Sequence, residues 1–293
     1  MKTMLVPLDG SQASEAVLPA AIAIAKASDY AITLLSVWEI PEGLPEFAGF
    51  GEETLRVQGV EYLRKYLRSV AAHVEDAGVV CEIDAASGHP AVEVLGAIGE
   101  LKTDMVALST HGRRAQAGRR GSTADKILRA SSVPVLAVGP SAGLSGAGVA
   151  IRRVLVPLDG GAASESALAL ALGLAADQRA EVALLTVVPH LFEHYGPGVP
   201  ENYLPEIDQR RRQEAELRLR TLQLQHPQVI TETHVLPGLP QVEIPAFLER
   251  SPYDLVVMAS RSRFARDLWT VGGVADVMIE GPTPVLIVPP AGE

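Results

Sequence analysis

The residues with the strongest chemical character lie between Ser109 and Thr123, in STHGRRAQAGRRGST. Four arginines (Arg113, Arg114, Arg119, Arg120) alternate with Gly112, Gly118 and Gly121 and with the hydroxyls of Ser109, Thr110, Ser122 and Thr123, and no carboxylate is among them. Glycine lets backbone approach a ligand closely, successive N–H groups leading into a helix suit an anion, and arginine adds charge-assisted hydrogen bonds. The pattern therefore suits phosphate. It is not a Walker loop, because no lysine follows Gly121 and the spacing differs. His111 can hydrogen-bond a phosphate, but no nucleophile or orienting partner accompanies it, so general-base catalysis is not implied. The plain alternative is a solvated loop carrying surface arginines.

Such a loop acts only where the fold delivers it to a ligand. Residues 4–8, 31–37, 79–85, 104–109 and 133–138 read as strands apolar on both faces, the mark of a parallel sheet covered by helices. Between them, 12–27 is helical with Ser11 or Ser14 near its start, and 52–76 aligns Val60, Leu63, Leu67, Val70 and Val74 in one stripe. Pro90 and Pro240 suit the first turn of further helices. This alternation predicts a doubly wound parallel sheet, whose ligands bind outside the carboxyl ends of the strands where connections diverge. There PLDGS (Pro7–Ser11) should meet the arginine loop. The strand-end Asp9, and likewise Asp159, can alternatively serve only to cap the next helix through an Asx turn.

The pattern occurs twice. MLVPLDGSQASEAVL (4–18) returns as VLVPLDGGAASESAL (154–168), and TDMVALSTHGR (103–113) returns as YDLVVMASRSR (253–263), at a spacing of 150 residues. One slip falls between Arg113 and Pro134. We expect domains at 1–140 and 151–293, joined by a Gly-, Ser- and Ala-rich linker at 141–150. The net charge of −10 divides as −4 over residues 1–150 and −6 over 151–293, which argues against duplex nucleic acid as a partner. Cys81 is the sole cysteine, so no intrachain disulfide exists. MKTMLVPLDG lacks the features of a signal peptide, and the apolar run AVLPAAIAIA is too short for a bilayer span, so a cytoplasmic location without a membrane partner is expected. His190 and His194 in HLFEH lack an HExxH pattern, and residues 209–225 read as a solvated charged helix.

VPLDGS, a strand ending LLSV, then STHGR, GST and VPVLAV closely resemble the universal stress protein family in its tandem two-domain form, over nearly all of both halves. The resemblance implies two α/β domains with a Rossmann-like, adenine nucleotide alpha hydrolase-like fold, each a five-stranded parallel sheet flanked by helices. It also implies a pseudo-dimer whose fifth strands, VPVLAV and TPVLIV, pair or pack across a pseudo-twofold. Nucleotide-binding members carry G-x-x-G, nine residues, then G-[ST]. By resemblance Asp9 contacts ribose or adenine, Val37 lines the base pocket, and Gly112, Arg113, Gly121, Ser122 and Thr123 cradle phosphates. Pro7, Gly10, Ser11, Thr110 and His111 complete that site, and Pro157, Asp159, Gly160, Val187, Arg261, Gly272 and Gly273 form a weaker second one.

Both loops depart from the family pattern. Ser109 replaces the first glycine and eight residues separate Gly112 from Gly121; in the second half Ala259 and Ser262 stand at glycine positions and Gly272–Gly273 brings no hydroxyl. Glycines needed for positive φ are costly to replace, so asymmetry between the halves is expected. The implied function is an ATP-binding stress-response switch, with Mg2+ as the nucleotide's counter-ion, an unidentified protein partner, and at most slow ATP hydrolysis. A homodimer is left open. The alternatives are a nucleotide-independent adaptor and, more weakly, an enzyme of the wider alpha hydrolase class.

Overall fold

In the computed structural model, residues 1–40, 51–112, 121–142, 150–189, 204–260 and 274–290 are described. Arg113, Arg114, Gly118, Arg119, Arg120, His190, His194, Arg261, Gly272, Gly273 and residues 143–149 of the expected linker lie outside them. The chain divides into two compact units, Met1–Val149 and Ala150–Glu293.

In the first unit β1 (Lys2–Pro7) is followed by α1 (Gln12–Glu15), α2 (Leu18–Ser28), β2 (Tyr30–Trp38), α3 (Glu52–Asp76), β3 (Cys81–Ser87), α4 (Pro90–Glu100), β4 (Met105–Ser109), α5 (Ser122–Ala130) and β5 (Val135–Val138). The strands pair in parallel in the order β3-β2-β1-β4-β5, with Met4 opposite both Ile32 and Met105. Right-handed crossovers then put α1 to α3 on one face and α4 and α5 on the other. Burial follows from this layering. Met4, Leu5, Ile32, Leu34, Leu35, Met105 and Leu136 are fully enclosed, and Leu63, Leu67, Val70 and Val74 of α3 are buried on β2 and β3, while Val60 is only half-buried. β3, expected to be apolar on both faces, instead alternates half-buried and exposed residues over Cys81–Asp84 and buries only Ala85, because it is an edge strand.

The second unit repeats the order with β6 (Arg153–Pro157), α6 (Ala162–Gln178), β7 (Glu181–Val188), α7 (Leu204–Gln225), β8 (Ile230–Pro237), α8 (Pro240–Arg250), β9 (Leu255–Ala259), α9 (Val274–Ile279) and β10 (Val285–Val288). Its parallel order is β8-β7-β6-β9-β10. One contrast shows a single residue shaping a helix. The helix expected over 12–27 is broken between α1 and α2, where Pro19 lacks an N–H; Ala169 stands at the equivalent place and α6 runs unbroken. No described helix is long and apolar enough to cross a membrane.

Two packing details set local stability. Gly59 of α3 lies against the indole of Trp38, so that any side chain there collides with a large ring. At the start of the second sheet, Glu232 accepts from the Tyr253 hydroxyl at 3.2 Å, lies 3.1 Å from His234 Nε2, and pairs with Arg153 at 3.6 Å, while Arg153 stacks over the Tyr253 ring. The His234 hydrogen bond, with Tyr253 and Arg153 adding to it against a smaller opposing effect of burial, holds the Glu232 carboxyl below its usual range; burial and then the Glu232 charge push Tyr253 up to about 12.

Gly59→Val should cost about 1–3 kcal/mol by overpacking, visible as a lower Tm with altered tryptophan emission. A carboxyl with a depressed folded-state pKa stabilises the fold above its unfolded value and loses that contribution as pH falls. Glu232→Gln should therefore lower Tm at neutral pH, and its difference from wild type should shrink below about pH 4 in melts across an acid series.

Candidate functional site

The sheet order makes β1 and β4 neighbours whose outgoing connections depart to opposite faces, the arrangement that opens a crevice above their carboxyl ends. Pro7 ends β1, and the chain turns through Asp9, Gly10 and Ser11. Gly10 has φ 80, and its repeat partner Gly160 has φ 83, so this turn requires a left-handed residue in both halves. Asp9 Oδ1 accepts from the Ser11 amide at 3.0 Å and the Ser11 hydroxyl at 2.5 Å. Ser11 then caps α1 by accepting from the Ser14 amide at 3.1 Å. The Asx-turn role is thus real, and it is made through Oδ1.

The other oxygen faces the second segment. A Cβ built on Gly112 would overlap Asp9 Oδ2, so the two turns meet where glycine has no side chain. Thr110 is buried; its amide donates to Val138 at 3.0 Å, and its hydroxyl lies 3.0 Å from His111 Nδ1. Gly121 donates to the Thr110 carbonyl at 3.0 Å, which brings the far end of the arginine loop back to the strand it left. Gly121 is the N-cap of α5 without a side-chain cap, and Ser122 and Thr123 form its first turn. Val37 is the penultimate residue of β2, half-buried, one strand away from Asp9. The structure therefore sets Pro7, Asp9, Gly10 and Ser11 at the carboxyl end of β1 and Thr110, His111, Gly112, Gly121, Ser122 and Thr123 at that of β4, with Asp9 meeting Gly112 and Val37 one strand away.

The requirement for glycine differs from that expected. Gly121 has φ −64 and ψ 138, an added Cβ would sit 3.8 Å from its nearest neighbour, and Gly112 likewise avoids the left-handed region. What Gly112 provides is room for the Asp9 carboxylate.

Sequence reasoning found the helix over 52–76 but missed that it leans over the turn. Tyr66 of α3 donates to Glu15 Oε1 at 2.7 Å. Burial, then the Glu15 hydrogen bond and the charges of Glu15 and Asp9, push its phenol well above the usual range, so it stays a neutral donor. In the second unit Asp159 Oδ1 accepts from Gly161 at 2.9 Å, but the overlying group is Arg218 of α7. Its guanidinium donates to the Gly160 carbonyl at 2.9 Å and to Glu165 Oε1 at 3.0 Å. Pro157 and Val187 hold the same strand-end places as Pro7 and Val37. The recurring Glu15 and Glu165 were a visible signal; Tyr66 and Arg218 were not, since they occupy different places in the repeat.

Comparison with known proteins agrees with this architecture. The model of the universal stress protein family matches residues 1–139 and 150–289. A universal stress protein of Methanocaldococcus jannaschii is 29% identical over 142 residues, spanning 47% of this chain and 81% of that protein. Among solved structures, a universal stress protein from Archaeoglobus fulgidus aligns over 98% of both chains with a TM-score of 0.73 at 21% identity. One from Pseudomonas aeruginosa aligns over 99% of this chain and 94% of its own, with a TM-score of 0.67 at 17% identity.

Gly112→Ala should cost about 1–3 kcal/mol because the methyl displaces the Asp9 carboxylate, while Gly121→Ala should cost no more than about 1 kcal/mol in N-cap preference. Denaturant melts of both, with Asp9→Ser added to Gly112→Ala, check this: the second substitution should recover part of the loss.

Proposed function

The chain belongs to the universal stress protein family, and from that premise we propose that its first domain binds an adenine nucleotide, ATP with Mg2+, as a regulatory ligand in a cytoplasmic stress response. The observation that carries this reading is the meeting of Asp9 and Gly112 above β1 and β4, beside the start of α5, where the N-cap residue Gly121 has no side chain to cap it. A helix start of this kind presents backbone N–H groups and a partial positive charge to an anion. Ser122 and Thr123 add hydroxyls there, and the sequence supplies four arginines between Gly112 and Gly121. Asp9 is suited to ribose or adenine donors, and Val37 to the base. The nucleotide acts by mass action: a ligand bound only to the ordered state stabilises it by about 2.7 kcal/mol at a hundredfold excess over Kd.

The second domain is the weaker site in this reading, because Arg218 already engages the Gly160 carbonyl. One observation favours the adaptor reading instead. Ser109, which replaces a motif glycine, donates its hydroxyl to the His111 carbonyl at 3.0 Å and draws the loop onto itself.

Calorimetric titration of Mg-ATP, with AMP and cyclic AMP beside it, distinguishes the two. We expect one saturable site per chain, weakened at least about tenfold by Asp9→Ala and by Gly121→Val, whose side chain projects where phosphate must approach, and retained in Asp159→Ala. No heat and no thermal shift at millimolar ATP would overturn the nucleotide reading and leave the adaptor.

A further inference from the structure

Between α4 and α5 of the first unit runs a groove that neither the sheet nor the crevice accounts for. It holds about 360 Å³, the scale of a small ligand or of a few side chains of a peptide, and its lining includes Ala91, Val92 and Leu95 with His89, Lys126 and Arg129. Ala91 is buried, Leu95 half-buried and Val92 63% exposed, so the apolar lining runs from the core out to solvent. An exposed apolar surface rimmed by charge marks an interaction site.

The charges around this groove do not balance. Arg129 pairs with Asp125 at 2.9 Å, and the Glu93 carboxylate of α4 lies back against Gly88. That leaves the exposed Lys126, whose Nζ lies 3.4 Å from His89 Nε2 and which makes no ion pair among the described residues. His89 is also the N-cap of α4, whose first turn adds the partial positive charge of a helix start. The second unit shows that the fold does not require this cation. Ala275, Met278 and Ile279 of α9 are buried like Ala124, Ile127 and Leu128 of α5, but Val277 stands in place of Lys126 and Leu239 in place of His89.

We propose that the α4–α5 groove docks a short acidic segment of another protein, an aliphatic side chain resting on Val92 and Leu95 while a neighbouring carboxylate pairs with Lys126. The unpaired ammonium selects a carboxylate, the apolar lining selects an aliphatic neighbour, and the volume limits the contact to a short stretch of chain. The net charge of −10 sharpens the choice, because an acidic segment is repelled by the protein as a whole and finds its counter-charge at this rim. Docking here is independent of the nucleotide reading.

Panned against the full chain without nucleotide, a displayed library of random linear peptides should enrich sequences with Asp or Glu beside Leu, Ile or Val. A synthetic peptide of the enriched sequence should bind wild type and lose affinity at least about tenfold with Val92→Asp and with Lys126→Glu, both at exposed positions and both melting like wild type. Replacing the acidic residue of the peptide by lysine should abolish binding to wild type and restore it to Lys126→Glu. Enrichment of no acidic and aliphatic sequence, an unaltered affinity in either variant, or no restoration by the charge exchange would overturn the proposal. So would self-association of wild type, or attachment to phosphatidylserine vesicles, that Val92→Asp abolishes, since the groove would then have a different occupant.

Discussion

The approach of the Asp9 carboxylate to the backbone at Gly112 is the contact on which the crevice depends. A carboxylate can lie over a backbone only where no side chain intervenes, and the parallel pairing of β1 with β4 delivers both residues to the same height above the sheet. The hydrogen bond from Gly121 to Thr110 returns the start of α5 to that point. The strand ends, the Asx turn and the helix start are held together by a few short-range contacts resting on a buried sheet.

The sheet supplies the rigidity those contacts need. Met4, Leu5, Val6, Met105, Val106 and Ala107 are completely buried, so the strand ends cannot shift independently of the core. Serving both faces at once explains why the central strands are apolar and buried through their middles and the edge strand β3 is not.

The two halves keep an apolar core of similar character and differ more in what faces outward. Pro19 breaks one helix where Ala169 leaves its counterpart whole. A neutral phenol covers the turn in the first half and a guanidinium in the second. On the last helices Lys126 gives way to Val277 and Arg129 to Glu280. A fold needs only its inner positions conserved in character, so a second copy is free to change what it presents to ligands and to other proteins.

The α/β class, the repeat, the parallel sheets and the stripe of Leu63, Leu67, Val70 and Val74 were legible in the sequence, because periodicity of burial is imposed by local backbone geometry. Motif spacing likewise singled out Asp9, Gly112 and Gly121, and the fold sets Asp9 against Gly112 at the ends of β1 and β4. Close backbone approach was the reason the sequence offered for them, with positive φ the cost expected where such a glycine is replaced, and neither Gly112 nor Gly121 has positive φ. Local patterns cannot report which distant side chain fills the space above a glycine. The overlap of Gly112 with Asp9, the lean of Tyr66 and Arg218 over their turns, and the break at β3's outer face were decided by the tertiary structure, since each depends on residues brought together only when the strands pair.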